Sequence, residues 1–196
     1  MIEKKVYSGL DLRDSEILRY AGTDKSDREA LDLANKCKEE LLFDYTVTVA
    51  YKIFPINVVG SVCDFHDFSF ESYDLARLLE KSSRALVFGA TAGHTLDRFI
   101  TKYSRVSPAR ALMFQAIGTE LVERGTDAFL SDISLEKGFD FTPRFSAGYG
   151  DLPLACQKEI FTHLDLTKHN GMYLNESLIM SPSKSVTAIA GIKNKV

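Results

Sequence analysis

Strand-forming and helix-forming segments do not alternate regularly along this chain, and that irregularity argues against a doubly wound parallel fold. Ser26-Asp27-Arg28-Glu29 reads as a capping box, with Ser26 accepting from an orphan backbone N–H and Glu29 reaching back. Leu31, Ala34, Lys38 and Leu41/Leu42 follow at helical spacing, which predicts a helix over 27–42 with one buried stripe. The period then drops to two. Tyr45, Val47, Val49, Tyr51 and Ile53 alternate with smaller or polar residues, a strand with one buried face. Pro55 bars a donor from a central ladder, and Asn57 to Val62 reads as a second extended segment around Gly60. Ser72 caps a short helix carrying Leu75, Leu78 and Leu79. Ala85 to Phe88 is a compact apolar strand, and Thr95 to Tyr103 is helical. Ser107-Pro108 opens the longest helix, because Pro occupies a position whose N–H would be orphaned anyway. That helix runs from Ala109 to about Asp132, with Leu112, Gln115/Ala116, Thr119 and Val122 on one stripe. Gly118 weakens it by ~1 kcal/mol relative to Ala. Beyond Gly138 the segments are short: an extended run near 140–147, a helix near 154–163, and strands near 177–181 and 185–192. The expected fold is α+β, a mostly antiparallel twisted sheet flanked by helices, in a single domain over 1–196.

Composition excludes several functional classes. Hydrophobic residues make up 45% and charged residues 26%, enough apolar side chains for one real core. The net charge is -3 and basic residues form no block, so no nucleic-acid partner is expected. No apolar run approaches the ~18 residues of a membrane span, and the N-terminus leads into no apolar segment of a signal peptide. Cys37, Cys63 and Cys156 are odd in number and widely spaced, which reads as reduced thiols in a cytoplasmic protein rather than a disulfide framework.

Most recognisable motifs fail on spacing. Gly89-Ala90-Thr91-Ala92-Gly93-His94-Thr95 sits between a strand and a helix, where phosphate loops sit. Its glycines are one residue too close and His94 stands where lysine should be, so it reads as a tight turn. Asp64-Phe65-His66-Asp67-Phe68-Ser69 comes near the D-x-H-x-x-G of cobalamin-binding modules, but Ser69 replaces the glycine and no glycine-paired Rossmann stretch follows. His94, His163 and His169 are scattered without metal-ligand spacing, so no metal site is expected. Neither a G-x-S-x-G elbow nor a nucleophile pairing is present.

One segment carries chemistry. In Arg144-Phe145-Ser146-Ala147-Gly148-Tyr149, which follows Pro143, a guanidinium can grip a carboxylate through two parallel donors. Ser146, Ala147 and Gly148 let backbone N–H and C=O groups approach a ligand closely, and Tyr149 adds a flat face and a hydroxyl. These are the parts that hold a small zwitterion joined to an aromatic base.

The segment also resembles a family signature. R-x-x-x-G-Y marks the C-terminal activation domain of cobalamin-dependent methionine synthase. Downstream, the stretch from His169 to Ser177 is similar to that domain's H-x-G-M-x-L-T-E-S, and Met180-Ser181-Pro182 with Ser185-Val186 resembles its M-x-P…S-V. Upstream, Phe54-Pro55-Ile56-Asn57-Val58-Val59-Gly60 resembles F/W-P-A-N-x-V-G. The resemblance spans about Tyr51 to Val186 and is strongest from Arg144 onward. It implies S-adenosylmethionine as ligand, with its methyl presented to cobalamin that an electron from a flavodoxin-type donor has reduced. In that reading Arg144 captures the ligand carboxylate, the backbone of Ser146, Ala147 and Gly148 supplies hydrogen bonds, and Tyr149 packs the adenosyl group or supports the loop. Glu120 on the long helix stands where the family carries an acidic residue near the ligand.

The sequence also departs from the family. Ile189 and Ala190 stand where the family has an aromatic W-Y pair, and the chain ends at Val196 where the family continues. The family's N-terminal acidic contact has no clear match among Asp11, Asp14 and Asp24. The substrate and cobalamin modules of the full-length enzyme are absent. The first expectation is therefore a reactivation subunit whose cobalamin comes from a separate methionine synthase that lacks its own activation domain. The alternative is a non-catalytic binding module that kept the fold and lost the methyl-donor chemistry.

Overall fold

The structure, a computed structural model, describes residues 1–41 and 46–193. In chain order it comprises β1 (Glu3–Tyr7), α1 (Asp14–Tyr20), α2 (Arg28–Glu40), β2 (Val47–Pro55), β3 (Asn57–Val59), β4 (Val62–Asp64), β5 (Ser69–Glu71) and α3 (Tyr73–Leu79). These are followed by β6 (Ser82–Thr91), α4 (Thr95–Tyr103), α5 (Pro108–Lys137), β7 (Asp140–Phe141), a 3₁₀ turn (Leu154–Cys156), α6 (Gln157–His163), α7 (Leu166–Asn170), β8 (Tyr173–Leu174), β9 (Met180–Ser181) and β10 (Ser185–Lys193). The main sheet has the order β1-β2-β6-β10-β7, and every pairing in it is antiparallel. The expected α+β architecture is therefore the observed one.

The sheet is buried on both faces. Val49 and Tyr51 of β2, Leu86 and Phe88 of β6 and Ala188 of β10 pack against Phe114, Ile117, Leu121 and Phe129 of α5, with α1, α2 and α4 closing that layer. The alternate residues Ala50, Phe54, Ala85, Val87 and Ile189 pack against Leu75 and Leu79 of α3, Ile160 of α6 and Leu166 of α7. Successive strand side chains point to opposite faces, so β2 serves two cores, where its sequence pattern predicted one buried face. Phe129 sits at the centre of the first layer, its ring 5.0 Å from Tyr51 and 5.2 Å from Phe88.

Several local expectations need correction. The N-cap of α2 is Asp27, whose carboxylate accepts from the N–H of Ala30 at 2.9 Å; Ser26 instead donates its N–H to Asp24 at 2.7 Å. On α5 Leu112 is 51% exposed, and the buried side is Met113, Phe114, Ala116, Ile117 and Leu121. That helix is covered by the sheet and by three helices at once, which widens its buried face beyond one stripe. It ends at Gly138 (φ 67°), one turn later than expected. Asn57 to Val62 is a hairpin turning at Gly60, and the extended run expected near 140–147 is β7 followed by a single bridge at Phe145. The strand expected near 177–181 is half of a small hairpin, β8 with β9. Leu42 and Tyr45, expected to end the α2 stripe and begin β2, lie outside the described residues. Among the described residues no helix is long and apolar enough to cross a membrane.

Candidate functional site

The chain that leaves β7 first follows the outer edge of β10. Thr142 donates its N–H to the carbonyl of Gly191 at 2.9 Å, and Phe145 and Ile189 exchange backbone bonds of 2.9 and 2.8 Å. At Ser146 the chain turns away. Tyr149 donates to the carbonyl of Ser146 at 3.2 Å, Leu152 to that of Tyr149 at 3.0 Å, and Gly148 to that of Leu152 at 2.9 Å, closing a tight loop. Gly148 has φ 91°, a left-handed conformation that a side chain disfavours. Asp151 pins the loop to the start of α3. Its carboxylate accepts from the Ser72 hydroxyl and from the N–H groups of Tyr73 at 2.7 Å and Asp74 at 3.2 Å. Those bonds, the Ser72 hydroxyl foremost, hold the carboxyl of Asp151 below the usual carboxylate range.

Where the loop parts from the sheet it leaves a cavity of about 400 Å³. Arg144, Ser146, Ala147 and Tyr149 line it, facing Val186, Thr187 and Ala188 of β10. Ile189 and Gly191 direct their backbone N–H and C=O groups to the outer edge. By the two-residue repeat of a strand, Thr187 does the same toward the cavity. Tyr149 is 70% exposed, so its ring stands at the rim. The sequence-derived segment thus comes together as one surface, with Gly148 shaping its turn.

The charged groups on the cavity wall are paired. A guanidinium nitrogen of Arg144 lies 2.8 Å from Glu123 and 3.4 Å from Asp127, two carboxylates one turn apart on α5. Of the three, Arg144 and Glu123 line the cavity, one cation and one anion, while Asp127 lies outside it. Glu120 does not line it. Its fully buried carboxylate accepts from Arg13, at 2.8 Å from Nε, 3.1 Å from Nη2 and 3.2 Å from the backbone N–H. The acidic residue beside Arg144 is therefore Glu123, one helical turn from the residue that sequence reading singled out.

Two further wall residues escaped the sequence. Gln157, the first residue of α6, lines the cavity while only 5% exposed. Lys184 lines a smaller adjoining cavity that shares Glu123 and Val186 with the first, and its amine donates to Thr119 at 3.2 Å. Burial pushes the Lys184 pKa down. The rejected motifs are local turns: Asp64 accepts the N–H of His66 at 2.8 Å, and Thr91 accepts that of Gly93 at 3.1 Å. Cys37, Cys63 and Cys156 are free thiols, and burial raises the first two to about 11.

No family model matches the sequence, and no curated protein matches it. A solved structure does: a crystal structure of the MetH reactivation domain bound to AdoHcy superposes with a TM-score of 0.73 over 100% of this chain and 80% of that one. The chain has the fold of the methionine synthase reactivation domain. At 15% identity the likeness is one of fold. Ile189 and Ala190 are fully buried in β10.

Proposed function

We propose that this chain binds S-adenosylmethionine in the cavity beside β10 and acts as a reactivation subunit. Its partner would be a separate cobalamin-dependent methionine synthase that lacks its own activation domain. The observation that carries the reading is the meeting of Arg144 and Glu123 at one cavity wall, in a chain with the reactivation-domain fold. The solved domain holds AdoHcy, the compound left when S-adenosylmethionine has given up its methyl.

The chemistry of the wall suits that ligand. S-adenosylmethionine carries a carboxylate, an ammonium and a sulfonium, and the wall offers a cation, Arg144, and an anion, Glu123, to match them. A guanidinium has five N–H donors, so Arg144 can keep its acidic partners and still receive a carboxylate. Glu123 is placed to take the ammonium or offset the sulfonium. Backbone groups at Ser146, Ala147 and Thr187 face the ligand, Gly148 holds the turn, and Tyr149 covers it at the rim. The sulfonium is a good leaving group and reduced cobalamin is a strong nucleophile. This chain therefore needs to orient the methyl and keep water from it, without an acid or base of its own. The electron that reduces the partner's cobalamin would come from a flavodoxin-type donor. The methyl bond to sulfur breaks with its electron pair left on sulfur, giving methylcobalamin and S-adenosylhomocysteine. Such a subunit serves methionine biosynthesis in the cytoplasm, where three free cysteines stay reduced.

A direct test mixes the protein with such a methionine synthase, a reductant and S-adenosylmethionine labelled in its methyl group. Label is expected on cobalamin with the wild type and not with Arg144→Ala. The second reading, a binding module without methyl-donor chemistry, is favoured by Ile189 and Ala190 at the positions of the aromatic pair. Ligand binding with no label transferred to cobalamin would select it.

A further inference from the structure

We propose that Gln157 reads the base of the ligand, its carboxamide pairing with the adenine edge that carries the 6-amino group; this rests on the S-adenosylmethionine reading above. Gln157 is 95% buried on the cavity wall, and its side-chain oxygen has no hydrogen-bond partner among the described residues. A buried amide oxygen without a donor is unfavourable, so its retention in a residue of the cavity wall points to a donor that arrives with the ligand. The placement has a local cause. The 3₁₀ turn Leu154–Cys156 continues directly from the loop that presents Arg144 to Tyr149, and it delivers Gln157 as the first residue of α6.

The chemistry of a carboxamide selects among the ligand's polar groups. Arg144 and Glu123 already match the amino-acid end and the sulfonium by charge. What remains is the ribose diol and the base. A ribose diol is matched best by a carboxylate, which accepts from its hydroxyls. The adenine edge sets an amino donor beside a ring-nitrogen acceptor, and a carboxamide sets an acceptor beside a donor, so the two form a paired bond. An amide oxygen in need of a donor is satisfied by the 6-amino group.

The test is calorimetry on the intact chain with two probes, S-adenosylhomocysteine and its analogue with hydrogen in place of the 6-amino group. The proteins are the wild type, Gln157→Ala and Gln157→Leu, the last keeping side-chain bulk while removing both polar atoms. The wild type is expected to prefer the amino compound roughly tenfold. Each variant is expected to bind that compound roughly tenfold more weakly and to treat the two probes alike. Variants that keep the wild-type preference overturn the assignment of Gln157 alone. A wild type that binds neither probe overturns the ligand reading and this assignment together.

Discussion

Asp151 shows how one side chain holds the candidate site in place, because its carboxylate joins the loop that carries Arg144 and Tyr149 to the first turn of α3. The hydroxyl and N–H groups around it favour the charged form, so its folded pKa lies below the ordinary value of ~3.9. A depressed carboxylate adds stability that is fully present above the unfolded pKa and is lost as pH falls through the folded one. Wild type and Asp151→Asn melted between pH 6 and 2 should therefore converge in stability below about pH 4. A gap that stays constant across that range would contradict the role given to Asp151. Cys37 and Cys63, buried with thiols raised to about 11, should react with a thiol reagent at pH 8 only after unfolding. Fast labelling of the native protein at either position would show that the cores open.

At the same scale, residue type was legible and orientation was not. The sequence singles out Arg144, Ser146, Ala147 and Tyr149, which share one wall because they share one loop. It cannot separate Glu120 from Glu123. Helix positions three residues apart differ by only ~60° around the axis, and the choice is made by partners remote in sequence, Arg13 for one and Arg144 for the other. Gln157 carried no signal, since a glutamine at a helix start is ordinary and its burial depends on how the loop docks.

At the scale of elements, α5 is the spine of the molecule, and its contact with β2 is close. A Cβ on Gly125 would fall 2.6 Å from the Cβ of Val47, a buried β-branched side chain with no room to yield. Helix propensity alone would make Gly125→Ala stabilising by ~1 kcal/mol. Overpacking against Val47 should outweigh it and leave the variant less stable by about 1–3 kcal/mol. Urea unfolding measures the difference, and a more stable variant would mean that the two elements are less tightly packed than described. Elements with long apolar patterns, β2, β6, α4, α5 and β10, were readable from the sequence. β1, α1 and α7 were not: β1 is an edge strand with charged residues at Glu3, Lys4 and Lys5, and the two helices are short and, unlike α3, have no side-chain cap to mark their start.

At the scale of the whole molecule, the antiparallel sheet has helices on both faces, and the two-residue β7 pairs with only the end of β10, leaving the rest of that strand's outer side partly covered. The cavity lies where the 144–149 segment departs from that side. The antiparallel class of the sheet was legible because its strands are not separated by regular crossover helices, and a parallel sheet requires them. The position of the cavity was not, since it depends on where a loop stops pairing. Binding there should stabilise the folded chain by mass action, so its melting temperature should rise with S-adenosylmethionine concentration and stay fixed in Arg144→Ala. The most direct measurement is a calorimetric titration of S-adenosylmethionine into the wild type and into Arg144→Ala. Saturable heat with the wild type, and affinity at least about tenfold weaker in the variant, is the expected result for a ligand held by a charge-assisted bond. No heat with the wild type at millimolar ligand, a binding free energy weaker than about -4 kcal/mol, would contradict the claim that this cavity is a site for S-adenosylmethionine.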